Sequence, residues 1–288
     1  MNNKTKIVSI VILTAMILMA AGCVGNEEPL ENTKQATIGY VLWDGEIAST
    51  NVMKQVLEQA GYEVEIISVD AGPLYQGLAN GQFDFTTSAW LPHTHGHYME
   101  QYGDDFVEVS TNLEGCKIGL VVPEYVTIDS IEEMNDVRDE FNGRITGIEP
   151  GAGIMTATEN AIEVYDLEYE LVSSSSAGMA TELRTAIAND EWIAVTGWSP
   201  HWKFERWDLK YLEDPEMVYG GEEYVATLAR AGLQEDDPEL YGIISRFYWT
   251  QEDIQSVMVD LESGMSEEEA AQKWVDNNPD KVNEWIGA

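Results

Sequence analysis

Ser88-Ala89-Trp90-Leu91-Pro92-His93-Thr94-His95-Gly96-His97 is the stretch on which the reading of this chain turns. A short apolar run through Phe83 and Phe85 leads into it and stops at Trp90, Pro92 and three histidines. Pro92 removes a backbone donor and biases Leu91 away from helix, and Gly96 permits unusual dihedrals, so the segment reads as a loop leaving the end of a buried strand. Loops at strand ends are where ligands bind in open α/β sheets. A near copy follows, in which the apolar run 192–195 is succeeded by Thr196-Gly197-Trp198-Ser199-Pro200-His201. The shared pattern is small, small, Trp, any, Pro, His. Gly39 precedes Trp90 by the same number of residues as Gly147 precedes Trp198, and both glycines lie in apolar strand-like runs. One site built from two similar halves is the simplest reading.

Outward from these copies the pattern is regular. Residues 37–42 read as a buried strand, 46–61 as a helix closed by Gly61, 64–69 as a strand, 73–80 as a helix with Pro73 at its start, and 83–86 as a strand. That alternation predicts right-handed βαβ units and a parallel sheet. Residues 117–122 form a further strand stopped by Pro123 and crossing toward the second half. There, 144–148, 154–165, 170–172, 177–189 and 192–195 repeat the strand and helix order. Residues 224–229 read as a returning strand and 238–286 as three or four amphipathic helices, with Asp237, Thr250, Ser266 and Asn278 as candidate caps. The expected fold class is α/β in two lobes, each a mostly parallel sheet flanked by helices. The first lobe comprises 36–121 and 218–288, and the second 122–217, since 288 residues exceed the usual size of one core.

Residues 1–22 are set apart. Lys4 and Lys6 precede an apolar run over 7–21 that ends in Ala20-Ala21-Gly22-Cys23, too short for a comfortable membrane span and shaped like a secretory signal. The ending resembles a lipobox, with cleavage before Cys23 and lipid on its thiol, although Ala20 stands where Leu is more usual. Residues 23–35 then read as a polar tether. Cys116 is left as a lone thiol without an intrachain disulfide partner, and its apolar neighbours make it a small buried hydrophobe. With 52 acids against 15 basic residues, the formal net charge is −37. Such a surface repels nucleic acid, which is excluded as a partner, and anionic lipid. The acids are dispersed, as suits a protein kept soluble in concentrated salt, and a salt-adapted source is expected.

Trp43, Trp90 and Trp198 stand just past strands. Indole faces attract cations, and several rings arranged as walls make a cage for a quaternary ammonium, which has no N–H to donate. The alternative is core packing, which suits Trp249, Trp274 and Trp285. Glu149-Pro150-Gly151-Ala152-Gly153-Ile154-Met155 joins a strand to a helix. Its glycines let successive N–H groups face one point at the positive end of a helix dipole. Without G-K-[ST] it is no phosphate-binding Walker loop, and a carboxylate suits it better. His93, His95 and His97 alternate, but Pro92 and Gly96 argue against a regular strand, and no second Cys/His cluster accompanies them, so no metal is expected. Nothing calls for a cofactor. No G-x-S-x-G elbow is present. Asp44 and Glu46, beside Trp43, read as two solvated acids among many.

In combination, G-Y-V-L-W-D-G-E-I-A-S-T-N at 39–51, D-A-G-P-L at 70–74, S-A-W-L-P-H-T-H at 88–95, I-G-L-V-V-P at 118–123, I-E-P-G-A-G-I-M at 148–155 and T-G-W-S-P-H-W at 196–202 closely resemble the glycine betaine binding proteins of osmoprotectant ABC importers. The resemblance covers nearly the whole mature chain. It implies a type II two-lobe periplasmic-binding-protein fold, and a tryptophan prism of Trp43, Trp90 and Trp198 around a trimethylammonium group. It also implies carboxylate contacts from the backbone N–H groups of Gly153 and Ile154 and from His95. A permease and its ATPase are the implied protein partners, a small betaine the ligand, and lipid on Cys23 the tether to the outer face of the membrane. His93 departs from the Asn common in relatives. The competing class is an exported enzyme acting on a quaternary amine, for which His95 and His201 are the only bases on offer, neither with an evident orienting acid.

Overall fold

In the computed structural model, residues 34–288 are described, so the signal 1–22, Cys23 and the tether as far as residue 33 lie outside the described residues. Two topologically equal units follow one another. The first is β1 (Lys34–Tyr40), α1 (Asp44–Gln59), β2 (Tyr62–Ser68), α2 (Ala71–Ala79) and β3 (Phe85–Leu91), then α3 (Gly96–Tyr102). The long strand β4 (Phe106–Pro123) leads through a 3₁₀ turn (Ile131–Val137) to the second unit. That unit is β5 (Arg144–Thr146), α4 (Gly153–Val164), β6 (Glu170–Val172), α5 (Ser176–Ala188) and β7 (Ala194–Ser199). After α6 (Lys203–Arg206) and β8 (Leu209–Tyr211), β9 (Glu223–Arg230) returns, and α7 (Leu233–Asp236), α8 (Pro238–Arg246), α9 (Gln251–Glu262), α10 (Glu267–Asn277) and α11 (Pro279–Ile286) close the chain.

The strand order β2-β1-β3-β9-β4-β7-β5-β6 displays the repeat: β2-β1-β3 and β6-β5-β7 are parallel triplets, and each is flanked by an antiparallel crossing strand, β9 beside β3 and β4 beside β7. The sheets are thus parallel in their outer strands and antiparallel where the chain crosses. β4 serves both. It pairs with β9 from Phe106 to Cys116 and with β7 from Lys117 to Val121, and Gly115, at φ +73°, supplies the left-handed backbone just before the change of partner.

Two apolar cores support this frame. One gathers Leu120, Val121, Ile145, Met155, Leu183 and Val195 of the second sheet and runs on to Tyr75 and Leu78. The other packs Val52, Val56 and Leu57 of α1 against the C-terminal helices, where Trp249, Trp274 and Trp285 are buried as expected and Trp274 stacks on Trp285 at 5.4 Å. Thr250 and Ser266 form complete capping boxes and the Asp237 carboxylate accepts from Leu240 N–H, each capping side chain satisfying otherwise orphaned helix amides. Asn278 does not cap; the start of α11 rests on Pro279 instead. Cys116 is buried and free, and burial, with the charges of Glu223 and Glu222, pushes its thiol up to about 12. Among the described residues no helix is long and apolar enough to cross a membrane.

Candidate functional site

All six residues singled out in the sequence, Trp43, Trp90, His95, Gly153, Ile154 and Trp198, line one cavity between the carboxyl ends of the two parallel triplets. Their settings differ from expectation. Only Trp43 lies past a strand, as the N-cap residue of α1. Trp90 and Trp198 are each the next-to-last residue of a strand, because β3 and β7 run on through the small residues Ser88-Ala89 and Thr196-Gly197. Trp90 is paired opposite Val225 and Trp198 opposite Ile118, so the ladder fixes the backbone from which each ring projects.

The Pro92 to His97 segment then turns back on itself. Its tie is Glu223 at the start of β9, which accepts from His93 N–H at 2.9 Å, Thr94 N–H at 2.7 Å and Thr94 Oγ1–H at 2.5 Å. The turn seats His95 at the N-terminus of α3, fully enclosed, stacked on Trp43 at 5.5 Å and edge-on to Tyr75 at 5.5 Å. His95 Nδ1 accepts the Trp90 N–H at 2.9 Å. Burial, with a smaller push from His97, lowers its pKa to about 3, so the ring is neutral and its proton sits on Nε2. Nε2 has no partner among the described residues. His97 lies against Tyr98, with ring centroids 3.9 Å apart, and His93 backs onto Gly220, so the three histidines diverge.

Opposite His95, α4 begins at Gly153, and its first amides have no intrahelical acceptor. The approach is close: a Cβ on Gly153 would stand 2.0 Å from the Thr94 carbonyl oxygen, so only glycine lets the α4 terminus meet the His95 loop. The cavity thus has indole walls at one part of its lining and a donor set of N–H groups at another.

Acids take unforeseen places around it. Asp44 and Glu46 are not solvated. Asp44 accepts from Trp202 Nε1–H at 2.7 Å and Ser176 Oγ–H at 2.9 Å, and His201 Nε2 lies 3.3 Å away. Burial alone would raise its pKa, but those donors hold it well below the usual carboxylate range. Glu149 accepts Trp43 Nε1–H at 2.5 Å, orienting the indole from the far side of the cavity. Glu46 lines the cavity, 2 % exposed, and burial raises its pKa well above normal against the hydrogen bonds from the Val41 backbone, Ser88 and Thr86. His201, the second candidate base, is neutral, pushed down to about 4 by burial and then by Lys203, with Asp44 acting the other way. These links join residues far apart in sequence, and no local motif marks them.

A doubled βαβ frame with a ligand cavity at the strand ends between two sheets is the architecture of type II periplasmic binding proteins. Residues 34–277 match the family described as the substrate binding domain of ABC-type glycine betaine transport systems, and the chain belongs to that family. It is 46 % identical over 162 residues to the glycine betaine/carnitine transport binding protein GbuC of Listeria monocytogenes, a match covering 55 % of this chain and 54 % of that protein, so the aligned stretch spans about half of that relative. Lactococcal OpuAC, solved closed with glycine betaine, superposes with a TM-score of 0.85 at 41 % identity over 88 % of this chain and 99 % of that one. An ABC-transporter choline binding protein, solved with choline, superposes at 0.84 and 27 % identity over 89 % and 93 %. The family is one of binding proteins, and the enzyme alternative finds no support in it.

Proposed function

We propose that this protein is an extracytoplasmic receptor that closes two lobes around glycine betaine and hands it to an ABC permease driven by its ATPase. The observation that carries the reading is that Trp43, Trp90 and Trp198 share a cavity with an unpartnered histidine N–H and the free amides of a helix N-terminus. A quaternary ammonium is held by indole faces without an ion pair, each desolvated contact contributing about 2 kcal/mol. Its carboxylate takes the N–H of Gly153, Ile154 and His95 Nε2, where a helix dipole and charge-assisted hydrogen bonds favour an anion. The lobes are read as meeting along β4 near its change of partner, with hinges near Val122 and near Asp214-Pro215. Lipid on Cys23 is the proposed tether, and the acid excess fits a salt-adapted source.

Calorimetry with glycine betaine, proline betaine, carnitine, dimethylsulfonioacetate and choline tests the reading. Tight binding of the onium carboxylates, with the solute recovered unchanged by mass analysis, supports a receptor. Conversion of the solute supports an enzyme, and no binding to any of the panel removes the cage.

A further inference from the structure

One face of Trp198 is already occupied by the protein itself. Lys203, the first residue of α6, is completely buried, and its Nζ stands 4.1 Å from the Trp198 ring centroid. That nitrogen has no hydrogen-bond acceptor among the described residues. A buried ammonium without a paired carboxylate is costly, because neither ion pair nor hydrogen bond offsets its desolvation. Lys203 is not among the residues lining the cavity, whereas Trp198 is, so the lysine covers the part of the indole turned away from it. In the cation-cage reading a single aromatic ring separates this amine from the onium head.

We infer that Lys203 is a positioning residue that tunes the Trp198 wall, a protonated lysine behind the indole and a cationic ligand in front of it opposing each other. The inference rests on the cation-cage reading above. The ring's negative potential is what each cation seeks, so charge on one face depletes attraction on the other, and the two positive charges repel through a medium with little water to screen them.

Lys203 changes charge in the range where this matters. Burial lowers its pKa to about 7, with the Asp44 charge opposing. The groups around it do not titrate there. Asp44, on α1, stays ionised; His201, in the turn before α6, is neutral above about 4; and Tyr211 of β8, stacked on Phe204, is held neutral by burial. On the cavity side His95 is neutral above about 3, whereas Glu46 is buried with its pKa raised, and its ionisation would favour a cation in the same direction as loss of the lysine's proton. Below its pKa the lysine is charged and opposes the ligand; above it the lysine is neutral. Affinity therefore rises with pH.

Isothermal calorimetry of glycine betaine binding between pH 5.5 and 8.5, on the wild-type protein and on Lys203→Met, tests this. Wild type is expected to bind about tenfold more weakly at the acid end, and the methionine variant to vary by less than about threefold while keeping the tighter affinity. Equal slopes in the two proteins would assign the effect to Glu46 and overturn the inference, as would a flat wild-type profile. Should the variant not fold, the side-chain ¹³C resonance of Lys203 in the wild-type protein decides. Saturating glycine betaine is expected to lower its titration midpoint by about one unit, and an unmoved midpoint overturns the inference. Absence of binding at every pH removes the cage reading and the lysine's role together, whereas binding with a flat profile removes the lysine's role alone.

Discussion

His95 Nδ1 accepts the backbone N–H of Trp90 at 2.9 Å, and this one bond decides which imidazole nitrogen is left to donate. The proton stays on Nε2, and because the ring's pKa is near 3 it remains a neutral donor throughout the physiological range. His95→Ala is therefore expected to weaken glycine betaine by about ten- to a hundredfold, the worth of a hydrogen bond to a charged group, while weakening choline much less. Calorimetry of both ligands checks this, and equal losses would move the carboxylate away from His95.

Each tryptophan wall is expected to matter singly. Trp43→Ala, Trp90→Ala and Trp198→Ala should each cost at least about tenfold in affinity, and the phenylalanine variants less, since a smaller ring keeps some of the attraction. Normal binding by all three folded alanine variants would show the cage to be elsewhere.

Choline shares the head group of glycine betaine but not its anion. It is expected to bind far more weakly, because it leaves the Gly153 and Ile154 amides and His95 Nε2 buried without an acceptor, at about 1 to 3 kcal/mol for each unsatisfied group. Competition between the two ligands, read as displacement of bound glycine betaine, measures the difference directly.

Asp44 joins the start of α1 to Trp202 and Ser176, residues that lie 158 and 132 positions further on. On the proposed two-lobe reading those bonds cross from one lobe to the other, and they are expected to break on opening. Glycine betaine is expected to reduce the radius of gyration of the wild-type protein in small-angle scattering. Asp44→Ala should shrink less at the same ligand concentration and bind more weakly, since a ligand shifts a conformational equilibrium only by its differential affinity. Identical compaction of the two proteins would deny Asp44 a part in closure.

Acid should unfold the protein partly through its two enclosed histidines. His95 and His201 have folded pKa values near 3 and 4 against an ordinary 6.5, so between those values the unfolded chain binds protons that the folded one refuses. Their stabilisation is complete above pH 6.5 and is lost as the pH falls, amounting to about 2 kcal/mol for each by pH 5. Glu46, whose folded pKa is raised, works in the opposite sense over the upper part of that range. His201→Gln isolates one contribution: its denaturation midpoint should fall less between pH 7 and pH 5 than that of the wild type, and parallel falls would exclude His201.

Much of this was legible from local pattern. The two βαβ units, the three core tryptophans and most helix caps lie in short stretches whose periodicity and punctuation determine them. Trp90 and Trp198 read from sequence as lying past their strands because Pro92, Pro200 and the small residues before each tryptophan are turn signals. In the fold those small residues continue strands buried on both faces, where bulk is excluded. Asp44 and Glu149 are illegible for a different reason. In a chain with 52 acids, a single acid that receives an indole N–H from the opposite sheet looks like any other until the sheets are brought together.

The double membership of β4 also favours one order of assembly. The triplet β5, β6 and β7 and its flanking partner, the second half of β4, all come from one uninterrupted length of chain, whereas β3 finds its neighbour β9 only after that whole length has been spanned, Phe85 pairing with Ala229. Contacts separated by so much chain carry the larger loop-closure entropy and form late. Until β9 arrives, the outer face of β3 is an unsatisfied edge, open to pairing with another chain. The second sheet is therefore expected to be completed first, and the cavity, which needs walls from both sheets, to be the last part of the molecule to come into being.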